Sequence, residues 1–242
     1  MRSGEKKTGR GRRIHLFVVV LAAAMGGLCI IFIYPFVNII AISLSSNVMI
    51  GSGRVTWFPR ELNPAGYRLV FGKAPIYLAY LNTLKYCLLF ALVNVLATAM
   101  IAYALAQNEF ACRKGITVIL LITMFFSGGT VPTYLVVSNL KLMDTAWALV
   151  LPTAVSAYNV FVYRAFFKGI TGELREAARI DGAGEYRILF RIIFPLSKPL
   201  FATFGLFAVV GMWNNYMEPL LYIRDAQKQP IQMVLRNIIF QA

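Results

Sequence analysis

The charged residues of this sequence that suit a chemical role are concentrated in and around one polar interval, residues 173 to 199. The interval and its flanks hold four acidic and seven basic side chains: Glu173, Glu176, Asp181, Glu185, Arg164, Lys168, Arg175, Arg179, Arg187, Arg191 and Lys198. Mixed charges of this kind, placed between apolar runs, suit ionic contacts with another protein. The interval is therefore a candidate docking element.

Two short helices around an elbow are predicted to present these charges. Gly172 precedes Glu173 and Glu176, and acidic residues favour the positive N-terminal end of a helix. The sequence Asp-Gly-Ala-Gly at 181–184 supplies the stop and turn. One apolar stripe at helical spacing follows: Tyr186, Leu189, Phe190 and Ile193. This pattern by itself also fits an amphipathic hairpin resting on the inner leaflet of a membrane.

A second group of polar residues lies inside the last long apolar run. It consists of Trp213, Asn214, Asn215, Tyr216 and Glu218. Polar groups in a lipid environment need partners or water, so this group should face a bundle interior or the outer surface. A binding cluster and an interfacial aromatic belt with interhelical hydrogen bonds are both compatible with it. Asn159, in the preceding run, is a weaker candidate because single polar residues in spans usually serve packing.

Motifs for catalysis, metal binding and nucleotide binding are missing from the sequence. Gly72-Lys73-Ala74 lacks the earlier glycine and the hydroxyl residue of a phosphate-binding loop. Cysteine and histidine have no metal-ligand spacing, and the single histidine, His15, lies at the edge of an apolar run. No catalytic constellation is found at membrane depth either. The prediction is a chain without a catalytic site, a metal or a cofactor of its own.

The composition indicates an integral membrane protein. The chain has 242 residues, of which 59% are hydrophobic and 14% charged, and its mean hydropathy is +0.67. A net charge of +14 would suggest nucleic acid as the partner of a soluble domain. Here the basic residues stand between apolar runs, where they orient a membrane protein, so nucleic-acid binding is not expected.

Five apolar runs are long enough to be predicted as membrane spans, after a basic N-terminus at residues 1–13. They cover residues 16–42, 77–106, 115–137, 145–167 and 200–223, with the polar loop 168–199 between the last two. The third run is interrupted at Gly128, Gly129 and Pro132, which predicts a broken helix facing the bundle interior. Residues 231–240 are too few and too polar to span.

The distribution of lysine and arginine predicts the orientation of these spans. With the N-terminus in the cytoplasm, fifteen of these residues lie inside and eight outside. The same orientation places the loop 168–199 in the cytoplasm.

The polar interval also carries a motif of a known family. Glu176-Ala177-Ala178, three residues, Gly182, nine residues, Ile192, one residue and Phe194-Pro195 resemble the EAA signature of the membrane subunits of ABC importers. Phe194 stands where leucine is usual. Further segments, among them FSGGTVPTYL from residue 126 and GMWNNYMEPLLY from residue 211, are similar to carbohydrate-uptake (MalG-like) permeases, in the branch for oligosaccharides or polysaccharides.

The resemblance implies an all-α polytopic helix bundle with the type I, MetI-like permease fold. Six spans are usual there, so a sixth is expected and is missing from this sequence. It also implies a coupling helix, formed by Glu176, Ala177, Ala178, Asp181 and Gly182, that seats in a cytoplasmic ATPase subunit. The expected partners are a homologous permease, two ATP-binding subunits that bind ATP and magnesium, an extracytoplasmic solute-binding protein, membrane lipid and a carbohydrate. The expected location is the bacterial inner membrane.

Within this resemblance, the second polar group becomes a candidate substrate pathway, because sugars are held by aromatic faces and by amide and carboxylate hydrogen bonds. Basic residues on the outer side, such as Arg54, Arg60 and Lys85, leave an acidic saccharide possible. The competing interpretation of the whole chain is a membrane scaffold or channel subunit without coupling to ATP.

Overall fold

The computed structural model describes residues 9–73 and 76–241, and every regular element in these two ranges is helical. This confirms the all-α prediction. The chain divides into two compact units, residues 1–74 and residues 75–242.

The first unit is built on one long helix. Helix α1 runs over Gly9–Ser43, with Pro35 inside it, and the short helices α2 (Asn47–Gly51) and α3 (Ala65–Lys73) follow. The segment between α2 and α3 folds back on α1: Asn38 Nδ2 donates to the carbonyls of Val55 (3.3 Å) and Thr56 (2.7 Å). The region between the first two predicted spans therefore contains two short helices.

The second unit contains ten α-helices among the residues that the structure describes. They are α4 (Ile76–Ala106), α5 (Arg113–Phe125), α6 (Thr130–Asn139), α7 (Ala146–Val150), α8 (Ala157–Ile180), α9 (Glu185–Ile188), α10 (Phe194–Leu196), α11 (Lys198–Asn214), α12 (Met217–Tyr222) and α13 (Ile231–Gln241). A π-helical turn, Leu189–Ile193, joins α9 to α10, and a short 3-10 turn, Ala226–Lys228, precedes α13. Helix α4 is central and packs mainly against α8 and α11.

The first three predicted spans agree with the helices. Two helical segments within the described residues are long and apolar enough to cross a membrane unbroken: Phe17–Ser43 of α1, and α4. The third predicted span is broken where the glycines and proline predicted it, since α5 ends at Phe125 and α6 begins at Thr130. Gly129 has a φ of +82° at this break, a conformation that glycine adopts without strain.

The fourth and fifth predicted spans are each interrupted, which the apolar runs did not predict. Helix α7 ends at Val150 and α8 starts only at Ala157. Helix α11 ends at Asn214 and α12 starts at Met217. At the second break, Asn215 Oδ1 accepts from the backbone N–H of Glu218 (3.3 Å), while Asn215 Nδ2 donates to Glu218 Oε2 (2.8 Å). Side-chain bonds thus replace helical ones at this break.

The predicted helix start at Gly172 is wrong. Helix α8 runs unbroken for 24 residues, from Ala157 to Ile180, so residues 173–180 are its last two turns and not a separate short helix. An interior glycine costs a helix only about 1 kcal/mol, which packing can offset. The polar interval therefore begins on an unbroken helical continuation of the fourth predicted span.

Two buried clusters hold the second unit together along α4. One includes Leu105, Tyr163, Phe167 and Ile188, and the other includes Tyr86, Leu149, Met212 and Tyr222. The first cluster lies beneath the polar interval. The second lies beside the break between α11 and α12.

Candidate functional site

The last turns of α8 present one exposed face. Glu176, Ala177 and Ile180 are exposed on it, and the exposed Asp181 and Gly182 follow directly. These positions, spaced by one, three and four residues, lie on one side of a helix. Ile180 is 87% exposed, although isoleucine is usually buried. We call residues 176, 177 and 180–182 the elbow face.

Ala178, the third residue of the predicted coupling motif, does not belong to the elbow face. It is only 8% exposed and packs in the same buried cluster as Ile188 and Leu189. The two alanines of the motif therefore lie differently. The small Ala177 adds little side-chain bulk to the exposed face. The small Ala178 allows the helix to pack closely against the core.

The stop after α8 is a Schellman motif. The N–H of Ala183 donates to the carbonyl of Ala178 (2.9 Å), and the N–H of Gly182 donates to the carbonyl of Arg179 (3.0 Å). Gly182 has a φ of +77°, and a Cβ atom built there would meet nothing within 4 Å. The glycine is thus required by backbone conformation rather than by crowding inside this subunit.

The segment after the elbow anchors to the core through residues that differ from the predicted stripe. Ile188, Leu189 and Ile193 are buried, whereas Tyr186 is 77% exposed and Phe190 is half-exposed. A π-helical turn covers Leu189–Ile193, so the residues beyond Leu189 do not keep strict α-helical spacing. Of the predicted stripe, only Leu189 and Ile193 therefore belong to the buried core.

A network of charged side chains ties the elbow to the central helix. Arg179 donates to Glu185 Oε1 from Nε (2.8 Å) and to Glu109 Oε2 from Nη1 (2.7 Å). Arg175 Nη2 lies 3.3 Å from both carboxylates. The hydroxyl of Tyr103, near the end of α4, donates to Glu185 Oε2 (2.6 Å). Four segments thus meet at two carboxylates.

The network keeps both carboxyl groups ionised. Burial by itself would raise the pKa of Glu185, but hydrogen bonds from Tyr103, Arg179 and Arg175 outweigh it and hold the pKa below its usual value. The pKa of Glu109 is lowered by its hydrogen bond from Arg179 and by the charge of that guanidinium. Charge-assisted bonds of this kind favour the ionised state.

A cavity of about 510 Å³ collects most of the predicted pathway residues. It is lined by Phe90, Asn94, Thr153, Ser156, Asn159, Phe207, Ala208, Gly211, Met212, Asn214, Asn215 and Glu218. Both unpredicted helix breaks contribute to this lining, at Thr153 and Ser156 and at Asn215. Irregular backbone at membrane depth needs protein or water beside it, and this cavity provides room for water or solute.

Trp213 and Tyr216 are separated from that cavity. They line another hollow, of about 820 Å³, together with Tyr80, Gln232 and Arg236, and Asn214 lies between the two. The Trp213 ring packs on Tyr80 with centroids 6.2 Å apart, and its carbonyl accepts from Gln232 Nε2. The predicted aromatic and amide cluster therefore divides, with Asn159, Asn215 and Glu218 on one side and the two aromatic rings on the other.

Several residues of these sites escaped the sequence analysis. Tyr103 and Glu109 lie about 70 to 80 positions before their partners, and no local pattern joins them. Ile180 carried a usable signal, an isoleucine directly before a helix-ending Asp-Gly.

The sequence of the second unit matches a known family. A model of the family described as "Binding-protein-dependent transport system inner membrane component" matches residues 74–240. The chain belongs to this family. Its members are permease subunits of transporters, so the exposed elbow face and the membrane cavity described above are features of an inner-membrane permease.

Two bacterial relatives are similar to this permease over most of its length. The polygalacturonan/rhamnogalacturonan transport system permease protein YtcP of Bacillus subtilis is 35% identical over 93% of this chain and 79% of its own. Protein LplC of the same organism is 39% identical over 93% of this chain and 76% of its own.

A solved structure resembles the permease in its fold. It is a crystal structure of a bacterial ABC transporter involved in the import of the acidic polysaccharide alginate. The match has a TM-score of 0.86 and 29% identity, and covers 98% of this chain and 84% of the other. The MetI-like fold predicted from the sequence is thereby confirmed.

Proposed function

We propose that this permease is one half of the translocation pathway of an ABC importer for a carbohydrate and that the elbow face transmits ATP-driven movement to it. The importer would contain a second, homologous permease, two ATP-binding subunits and an extracytoplasmic solute-binding protein. ATP and magnesium would be held by the ATP-binding subunits. This chain contributes the pathway and the coupling, with no reaction of its own.

One observation carries the coupling part of the proposal: an exposed apolar tip on a rigidly held elbow. Ile180 lies in solvent at the end of a 24-residue helix, while Arg179 beside it is fixed by two carboxylates. A contact that transmits movement must be firm on its own side, because a loose loop would absorb the displacement. The elbow meets that requirement, since a push on Ile180 is passed along α8 and through Glu185 to α4.

The cavity supports the pathway part of the proposal. It adjoins α4 and the start of α8, so the helix that ends in the elbow also borders the space through which a solute would pass. Coupling requires contacts that differ between two states, and a helix shared by both sites provides one. Carbohydrate as the solute class is supported by the amide and hydroxyl lining and by the transport activities in the names of the relatives.

The orientation expected for the chain in the membrane agrees with this proposal. Lysine and arginine favour an N-terminus in the cytoplasm, which places the elbow face on the cytoplasmic side, where an ATP-binding subunit would meet it.

The proposal is tested by placing a charge on the apolar tip. Ile180→Asp should abolish co-purification of the ATP-binding subunit and sugar-dependent ATP hydrolysis, while Ile180→Leu, its matched control, should retain both. Because Ile180 is 87% exposed, neither variant should change the melting temperature of the free permease. Membrane insertion is checked in parallel by protease accessibility.

The competing scaffold or channel function predicts a different result. If Ile180→Asp leaves ATPase assembly and sugar uptake intact, the elbow face is not the coupling contact. If no saccharide enters proteoliposomes that contain the complete assembly with its binding protein and ATP, the importer proposal itself fails.

A further inference from the structure

The charged groups in the cavity lining bear on the charge of the saccharide. Of the described residues that line it, none is lysine, arginine or histidine, and one, Glu218, is a carboxylate. Lys85, which left an acidic substrate possible on the sequence alone, is not among the lining residues. A uronic acid residue would therefore bring its carboxylate beside that of Glu218 without a compensating cation in the lining, and like charges repel.

The polar side chains of the lining can bind the hydroxyl groups of a sugar. The NH₂ groups of Asn94, Asn214 and Asn215 already donate within the protein, to the Ala154 carbonyl (2.9 Å), the Val210 carbonyl (2.9 Å) and Glu218 Oε2 (2.8 Å). Each of these groups has one further N–H, and the Asn215 carbonyl oxygen already accepts from the backbone N–H of Glu218 (3.3 Å). An ionised carboxylate offers acceptors only, whereas a sugar hydroxyl both donates and accepts. The lining thus offers both donors and acceptors, which suits the hydroxyl groups of a sugar.

The apolar part of the lining fits the remaining surface of a sugar. Phe90 and Phe207 provide aromatic faces, and Gly211 opens the wall of α11 between them and Asn215. The C–H faces of a pyranose pack on such rings, and a volume of about 510 Å³ is within the usual range for small-molecule sites.

We infer that the substrate of this permease is a neutral saccharide, bound through its hydroxyl groups, and that Glu218 helps to exclude uronic acids. The inference rests on the proposed function. It separates this chain from the transporter of similar fold that imports the acidic polysaccharide alginate. Repulsion by Glu218 would lower the affinity for a uronic acid, and this adds to the specificity that contacts with the neutral sugar provide.

The test measures occupancy of the cavity directly in the assembled importer without its binding protein, so that delivery does not decide the result. A thiol is introduced by Thr153→Cys in the lining after the native Cys29, Cys87 and Cys112 are replaced by serine or alanine. Maleimide labelling is then followed with rising concentrations of matched pairs, galactobiose against digalacturonate and cellobiose against its diuronate. Ser138→Cys, exposed at the end of α6 and outside the cavity lining, serves as the control site.

The neutral sugar should protect Thr153→Cys at a concentration at least about tenfold below that of its uronate. Glu218→Gln should narrow this ratio by improving protection by the uronate, while the Ser138→Cys control stays unprotected. Equal or better protection by the uronate overturns the inference, and so does a ratio that Glu218→Gln leaves unchanged. If neither sugar protects although uptake proceeds, the cavity is not the substrate site, and the inference falls while the importer function stands. If no saccharide is taken up at all, the proposed function falls.

Discussion

The Tyr103 hydroxyl donates to Glu185 Oε2 over 2.6 Å and so joins the end of α4 to the first residue after the elbow. Both side chains are held from a second direction, Tyr103 by the buried cluster around Phe167 and Glu185 by Arg179. This bond links the segment after the elbow to α4, a helix that also borders the cavity. It is therefore the first place to test whether the two sites are mechanically connected.

Tyr103→Phe removes this hydrogen bond with little change of shape. Loss of a hydrogen bond to a partly exposed carboxylate should lower the free energy of unfolding by about 1–2 kcal/mol. Under the proposed function it should also lower the amount of sugar imported per ATP hydrolysed, since Glu185 would no longer be tied to α4. Melting temperature and the import-to-hydrolysis ratio in proteoliposomes measure the two effects.

Tyr163→Phe is a matched control for that experiment. Tyr163 is fully buried in the same cluster, and its hydroxyl has no hydrogen-bond partner within the described part of the chain. Removing an unpaired buried hydroxyl should leave stability unchanged or raise it. Equal losses in both variants would mean that the effect of Tyr103→Phe does not come from the bond to Glu185.

The charge network should respond to acid and not to changes around neutrality. The pKa of Glu185 lies below its usual value because hydrogen bonds outweigh the effect of burial, and that of Glu109 is lowered by Arg179. A carboxyl group with a lowered pKa in the folded state stabilises it at pH values above the unfolded pKa, about 4.3 for glutamate. This stabilisation is lost as the pH falls through the folded value.

The melting-temperature advantage of the unmodified chain over Glu185→Gln isolates this effect, because glutamine resembles protonated glutamate. We expect the advantage to be constant from pH 6 to 8 and to shrink below about pH 4.3. An advantage that changes between pH 6 and 8, or grows in acid, would contradict the assignment of an ionised, hydrogen-bonded Glu185.

Substitutions of Gly182 can distinguish its role in the backbone turn from a role in docking of the ATP-binding subunit. Its φ of +77° makes Gly182→Ala cost about 1 kcal/mol, while asparagine tolerates this conformation better. A Cβ atom at this position would meet no neighbour within 4 Å in this subunit. Gly182→Asn should therefore keep nearly the full melting temperature yet weaken binding of the ATP-binding subunit, measured by co-purification. Full binding by the asparagine variant would show that the glycine serves only the turn.

The sequence predicted the fold class, the first two spans, the break near Gly129 and the helix stop at Gly182, because each has a local chemical cause. Long apolar runs, a glycine pair before a proline, and Asp-Gly after a helical segment are all readable within a few residues. The breaks at residues 151–156 and 215–216 lie within apolar runs. A break does not change the mean hydropathy of a run, so hydropathy did not predict these two breaks. The π-helical turn at Leu189–Ile193 and the bond between Tyr103 and Glu185 depend on tertiary packing, which no local pattern records.

Of the candidate pathway residues, Trp213 is expected to serve packing, and Asn159, the weaker candidate, is expected to contact the solute. Trp213 packs against Tyr80 outside the polar cavity, so Trp213→Ala should lower the melting temperature, with a cost of roughly 1–3 kcal/mol because the ring is only half-buried. Asn159 lines the cavity on the first turn of α8, so Asn159→Ala should leave the melting temperature nearly unchanged and raise the KM for sugar import several-fold. Uptake by proteoliposomes and thermal unfolding, measured on both variants, distinguish the two sites. Impaired uptake in a fully stable Trp213→Ala variant would return the aromatic ring to the pathway.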